Sequence, residues 1–215
     1  MSQQAQTTRS ALLAVIVIGL LLTGIFAVLS VRGTLNAPPP TATPPNGVIP
    51  VDPPMETRDF SLPGSNGQPL SLSDLQGKWT LVFFGYTHCP DFCPLTLAEW
   101  KNIKTALGDD AEPFNFLFIS VDGARDTPEV LSQFLSRFDP AFVGMSGDEA
   151  TLARIGPDYG LDYTLHTEEG VNYTVDHTTR VYLLDPQSRI VYEFSFGTDR
   201  NVIVQTLREA LASGA

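Results

Sequence analysis

The sequence predicts an α/β domain whose first strands run parallel, with helices covering a sheet, preceded by one membrane-spanning helix. Three patterns carry this expectation. Strand-like apolar runs alternate with amphipathic helical stripes between residues 79 and 138. Two further strand-like runs, joined by Asp185-Pro186-Gln187-Ser188, precede a closing helix. A single uncharged run of 21 residues, Ala11 to Val31, stands apart near the N-terminus.

That run is long enough to cross a bilayer, since 21 helical residues at about 1.5 Å each reach about 31 Å. A cleaved signal peptide is the alternative, but its apolar core is usually about 7–15 residues. No small-x-small cleavage site is evident near Ala27 to Gly33, so a retained signal anchor is the reading. Arg9 before the span and Arg32 after it barely discriminate orientation. The chain beyond the span is more telling: a Pro-rich segment and a large domain with no second span put residues 1–10 in the cytoplasm and the bulk outside. Residues 32–56 read as a linker, because prolines this dense build neither a helix nor a central strand. It is expected to be an extended spacer without specific contacts.

All 24 acidic residues lie at or beyond Asp52, where only 11 of the 13 basic ones are found, an excess of 24 − 11 = 13 negative charges. That balance excludes nucleic acid and anionic membrane surfaces as partners.

From residue 57 onward the elements come in order. Trp79 to Tyr86 is a buried strand. Pro94 to Leu107 carries Leu95, Leu97, Trp100, Ile103 and Leu107 at helical spacing. Phe114 to Val121 is a second strand. Thr127 is the expected N-cap of a helix that starts at Pro128 and runs to Phe138. Phe142 to Met145 reads as a short strand, Asp148 to Ile155 as a short helix, and Tyr163 to Asp176 as a hairpin turning at Glu168-Glu169-Gly170. Thr179 to Leu184 and Arg189 to Phe196 are strands, and Asn201 to Leu211 is the last helix. Strand, helix, strand, helix, antiparallel pair, helix is the order of a thioredoxin-like domain, with residues 142–176 as an insertion.

Both cysteines of the chain, Cys89 and Cys93, sit where the first strand gives way to the first helix. So short a loop gains little from a disulfide staple, because stabilisation grows with loop length. A helix N-terminus favours the thiolate, which is both the nucleophile and the metal ligand. Redox pairs normally have two residues between the cysteines; this pair has three. Helical positions four apart hold their Cβ atoms about 5–6 Å from each other, wider than the about 3.5–4.5 Å of a disulfide. The spacing favours a metal without excluding oxidation. A third ligand is sought among His88, His166 and His177. His88 adjoins Cys89 and is assigned to the rim, His166 to a polar, solvent-exposed hairpin. His177 precedes a strand whose leading loop approaches the cysteine helix, where a structural histidine and a ligand are both open. Two thiolates and an imidazole suit copper; zinc would want a fourth ligand.

The run Phe83-Phe84-Gly85-Tyr86-Thr87-His88-Cys89-Pro90-Asp91-Phe92-Cys93-Pro94 resembles the signature of the Sco/SenC family of membrane-anchored copper chaperones for cytochrome c oxidase assembly. The likeness continues at Ser120 to Pro128 and at Val175-Asp176-His177-Thr178-Thr179, covering roughly residues 58–212. It implies copper, as Cu(I) or Cu(II), held by Cys89, Cys93 and His177. It also implies delivery to the CuA site of cytochrome c oxidase subunit II, an upstream copper donor, and a bacterial plasma-membrane location with one span. Asp122, Arg125 and Asp126 fall in a matching segment and are assigned to loop structure and helix capping. The alternative activity is a thiol-disulfide oxidoreductase that uses Cys89 and Cys93 as a redox pair to reduce the CuA cysteines. A peroxidase of the peroxiredoxin type is a third. No second cysteine pair exists to re-reduce the site, so a thioredoxin-like reductant is an expected partner.

Overall fold

The computed structural model describes residues 46–213. The chain starts with β1 (Val48–Met55) and a hairpin of β2 (Ser61–Pro63) and β3 (Pro69–Ser71). Next come β4 (Trp79–Gly85), α1 (Phe92–Leu107), β5 (Phe114–Ser120) and α2 (Pro128–Ser136), the alternation read from the sequence. β6 (Val143–Ser146) and α3 (Glu149–Tyr159) lead to β7 (Tyr163–Leu165) and β8 (Val175–His177). β9 (Val181–Leu184), β10 (Ile190–Phe194) and α4 (Arg200–Ser213) close the domain.

The main sheet has the order β1-β10-β9-β4-β5-β6. β4, β5 and β6 are parallel, as strands joined by crossover helices must be; β9 lies antiparallel on the other side of β4. Every residue of β4 is buried, as expected of a strand covered on both faces. Its alternation sorts the aromatics. Phe83 faces Trp100 of α1 and Phe118, with ring centroids 6.3 and 6.0 Å apart. Phe84 points to the opposite face, against Tyr159 and Tyr182. The strand that leads to the cysteines is thus packed on both faces. Thr127 is the N-cap of α2, its hydroxyl accepting from the Val130 amide, as the sequence indicates.

Three readings are corrected. Residues 48–55, assigned to the linker, form β1 and pair with β10 from Val48 opposite Phe194 to Met55 opposite Ile190. Their prolines are tolerated because β1 is an edge strand, where a missing N–H interrupts no ladder on the outer side. Residues 143–146, assigned to the insertion, instead form the parallel edge of the main sheet. His177 ends β8, in a two-stranded ribbon with β7 that is separate from the main sheet, rather than leading directly into β9. The span expected over Ala11 to Val31 lies outside the described residues; among the described residues no helix is long and apolar enough to cross a membrane.

Candidate metal centre

Gly85 ends β4 because nothing larger fits. A Cβ there would stand 2.8 Å from Cys93 Sγ and 2.9 Å from the Phe118 ring. The chain then turns, the Cys89 amide donating to Tyr86 O at 3.3 Å, and α1 begins at Phe92. Cys93 therefore lies in the first helical turn, and its backbone N–H donates to Cys89 Sγ at 3.4 Å. One of the unpaired amides of the helix start is satisfied by the other cysteine's sulfur. Both cysteines are buried and free.

His177 completes the group. Its Nε2 lies 3.5 Å from Cys93 Sγ, and the ligand atoms of Cys89, Cys93 and His177 all fall within 4.8 Å of one another. Nδ1 is 2.9 Å from Thr178 O. A carbonyl only accepts, so Nδ1 carries a proton and Nε2 is the ring nitrogen that faces the sulfurs. Phe83 and Tyr86 pack edge-on against the imidazole, at 5.9 and 5.8 Å between centroids, and fix its plane.

The electrostatics divide the two thiols. The hydrogen bond from Cys93 pulls Cys89 down to about 3, helped by His177 and by the Cys93 and Asp91 amides and opposed by burial. Burial first, and then Cys89, push Cys93 far up. The pair behaves as one thiolate and one thiol sharing a proton, which a metal would displace on binding. Two sulfurs and a lone-pair nitrogen fit a soft metal ion in the geometry present. Bonds of about 2.3 Å to sulfur and about 2.0 Å to nitrogen meeting at about 120° put those atoms about 3.8 Å apart, close to the separation observed.

The remaining residues of interest support this group. Arg125 and Asp122 fasten the returning limb of the ribbon. Asp122 is 1% exposed and accepts from Arg125 Nε at 2.5 Å and from Tyr173 Oη at 2.6 Å. The Arg125 guanidinium lies 3.4 Å over the Tyr173 ring and donates to Tyr173 O at 2.8 Å. Tyr173 stands four residues before His177, so the loop after β5 sets where the imidazole arrives. Asp126 does not cap α2. It is fully buried and accepts from Thr87 N, Thr87 Oγ1 and Ser120 Oγ at 2.8, 2.6 and 2.6 Å, which anchors the turn before Cys89. His88 stays outside the group, exposed and 3.1 Å from Thr87 Oγ1. His166 is partly exposed and pairs with Asp176 at 2.9 Å. Tyr173 is the residue sequence reasoning passed over; its place in Asn172-Tyr173-Thr174, just before the Asp176-His177 pair, was the available signal.

The SCO1/SenC family model matches residues 51–212. Protein SCO2, mitochondrial, of Saccharomyces cerevisiae is 34% identical over 155 residues, which are 71% of this chain and 52% of that protein. The chain therefore spans about half the length of that relative. The structure of Bradyrhizobium japonicum ScoI with copper bound is 39% identical, covers 72% of this chain and 98% of that one, and superposes with a TM-score of 0.66. Arabidopsis thaliana ScoI with copper bound gives 28%, 73%, 98% and 0.68 for the same quantities. With a family match over most of its length and the Cys89–Cys93–His177 group inside it, the chain belongs to the SCO1/SenC family.

Proposed function

We propose that this chain binds copper through Cys89, Cys93 and His177 and delivers it to the CuA site of cytochrome c oxidase subunit II. The observation that carries the reading is His177 Nε2 held 3.5 Å from Cys93 Sγ, with Nδ1 tied to Thr178 O. A pair used only for disulfide exchange needs no such partner. Copper is the metal in the two ScoI structures that match this fold, and a set of two sulfurs and one imidazole suits it. The apolar run Ala11 to Val31 supports a single-pass anchor in a bacterial plasma membrane, with the copper domain on the extracytoplasmic side. An upstream copper donor and a thioredoxin-like reductant complete the scheme, since the thiols must be reduced before they bind metal.

His177→Ala is expected to weaken copper binding by more than about tenfold to a hundredfold, the loss that follows from removing only a group that orients a ligand, while Cys89 and Cys93 still close a disulfide. Competition against a chromogenic copper chelator, with thiol counting in parallel, measures both. Unchanged affinity would remove His177 from the ligand set. The second reading, a reductase of the CuA cysteines, is favoured by the thiolate character of Cys89. It predicts that His177→Ala leaves reduction of the target's disulfide at the wild-type rate.

A further inference from the structure

The face beside the metal centre carries an apolar patch with an acidic rim. Among the described residues, five large hydrophobic side chains are exposed, and three of them, Phe92, Leu95 and Phe196, belong to one patch. Phe92 and Phe196 meet edge to face at 4.9 Å, and Leu95 lies one helical turn beyond Phe92. Behind the patch lies a cleft of about 580 Å³ between α1, β9 and the start of α4, lined by Leu95, Thr96, Trp100, Val181, Phe194 and Phe196 among others. Thr179 lines both this cleft and the depression that holds Cys89, Phe92 and His177. The two hollows therefore share a wall.

Two residues of the cleft wall hold buried donors that lack partners. Thr96 is 6% exposed and Trp100 2%, and neither Thr96 Oγ1 nor Trp100 Nε1 has a hydrogen-bond partner among the described residues. Buried polar groups are nearly always paired. An apolar hollow of this size, with Leu95 and Phe196 at its mouth, suits an apolar side chain of a protein segment.

Charge selects the kind of protein. Asp91 and Asp199 are exposed around the two hollows, as is Asp176, which pairs with His166 at 2.9 Å, and the one cation in the cleft lining, Arg200, is already paired with Glu99 at 2.7 Å. A second copy would set this acidic rim against its own like; a basic surface would be drawn to it. We propose that the Phe92–Leu95–Phe196 patch and its cleft dock the copper-accepting protein, a basic-faced partner that inserts one apolar side chain beside the metal centre. The inference rests on the delivery reading above and adds to it where the acceptor sits.

The test uses the full chain in detergent, loaded with Cu(I), and a purified apo CuA domain of an oxidase subunit II as acceptor. Leu95→Asp and Phe196→Asp change exposed positions outside the ligand group. Both variants are expected to keep wild-type copper affinity in chelator competition and to pass copper at least about tenfold more slowly, since a lost anchor shortens the encounter. The Trp100 indole N–H resonance should shift on adding acceptor to the wild type and stay still in both variants. Raising salt should slow the wild type. Undiminished transfer in both variants overturns the docking face and leaves delivery standing. A Trp100 shift without any copper transfer keeps the docking face and removes delivery; neither binding nor transfer overturns both. A wild-type dimer that Leu95→Asp dissolves would give the face to a second copy and overturn the proposal.

Discussion

Gly85 shows how closely single residues bound the metal centre. A Cβ at this position would meet Cys93 Sγ at 2.8 Å and the Phe118 ring at 2.9 Å, and both neighbours are fully buried. Gly85→Ala is therefore expected to destabilise the domain by about 1–3 kcal/mol, the usual scale of overpacking, and to lower copper affinity by displacing one sulfur. Urea unfolding and chelator competition on the same sample read the two effects. Intact affinity in the variant would mean that the strand, not the sulfur, gives way. The residues that matter were unevenly legible. Cys89 and Cys93 declare themselves by spacing and by their place between strand and helix. With His88 and His166 set aside, His177 stayed open between a structural and a ligating role until the family resemblance chose the latter. Asp126 lies next to the Thr127 N-cap and so read as a cap, whereas its carboxylate turns inward to Thr87 and Ser120. A helix-start pattern cannot reveal which way such a side chain points.

At the scale of elements, the ribbon of β7 and β8 is the variable part of the centre. Thr178 N donating to Asp162 O at 2.9 Å closes its base, and it is attached to the rest of the domain through the buried Val175 and through Arg125 and Asp122 along its returning limb. Arg125→Met keeps the bulk of the side chain but removes its charge and hydrogen bonds, leaving Asp122 buried with one partner fewer. The expected outcome is a drop in copper affinity with the thiols still able to form a disulfide; wild-type affinity would show that the clamp does not place His177. The ribbon also has a pH dependence. The Asp176 hydrogen bond, with Glu168 adding to it, raises His166 above its ordinary 6.5. A raised histidine contributes its stabilisation fully below the unfolded value and loses it as pH rises through the folded one. NMR relaxation of residues 163–177 should therefore report a looser ribbon at about pH 8 than at about pH 6, and His166→Gln should abolish the difference. The sequence marks the hairpin by its Glu-Glu-Gly turn. It leaves no mark of the clamp, because contacts between residues 122–125 and 173 span some fifty positions without periodicity.

For the whole molecule, the decisive boundary falls between Asn46 and Met55 rather than at residue 56. β1 covers the edge of β10 and buries Val48. Removing residues 1–45 is expected to leave the stability of the domain unchanged. Removing residues 1–55 should lower it by about 2 kcal/mol or more, through one lost apolar anchor and an opened sheet edge; urea midpoints of the two truncations decide. Proline density hid this strand, since it forbids a central strand but not an edge. The same build has a consequence for how cargo moves. Two of the three donors are fixed to the corner of a rigid sheet and helix, while the third rides on a ribbon hinged at Asp162–Thr178 and latched by Arg125. Val175 of that ribbon is buried in the core, so opening the latch would loosen the histidine while the core still holds the limb that carries it. On the delivery reading proposed above, copper would be released ligand by ligand, with the rate of unlatching, rather than of unfolding, as its clock.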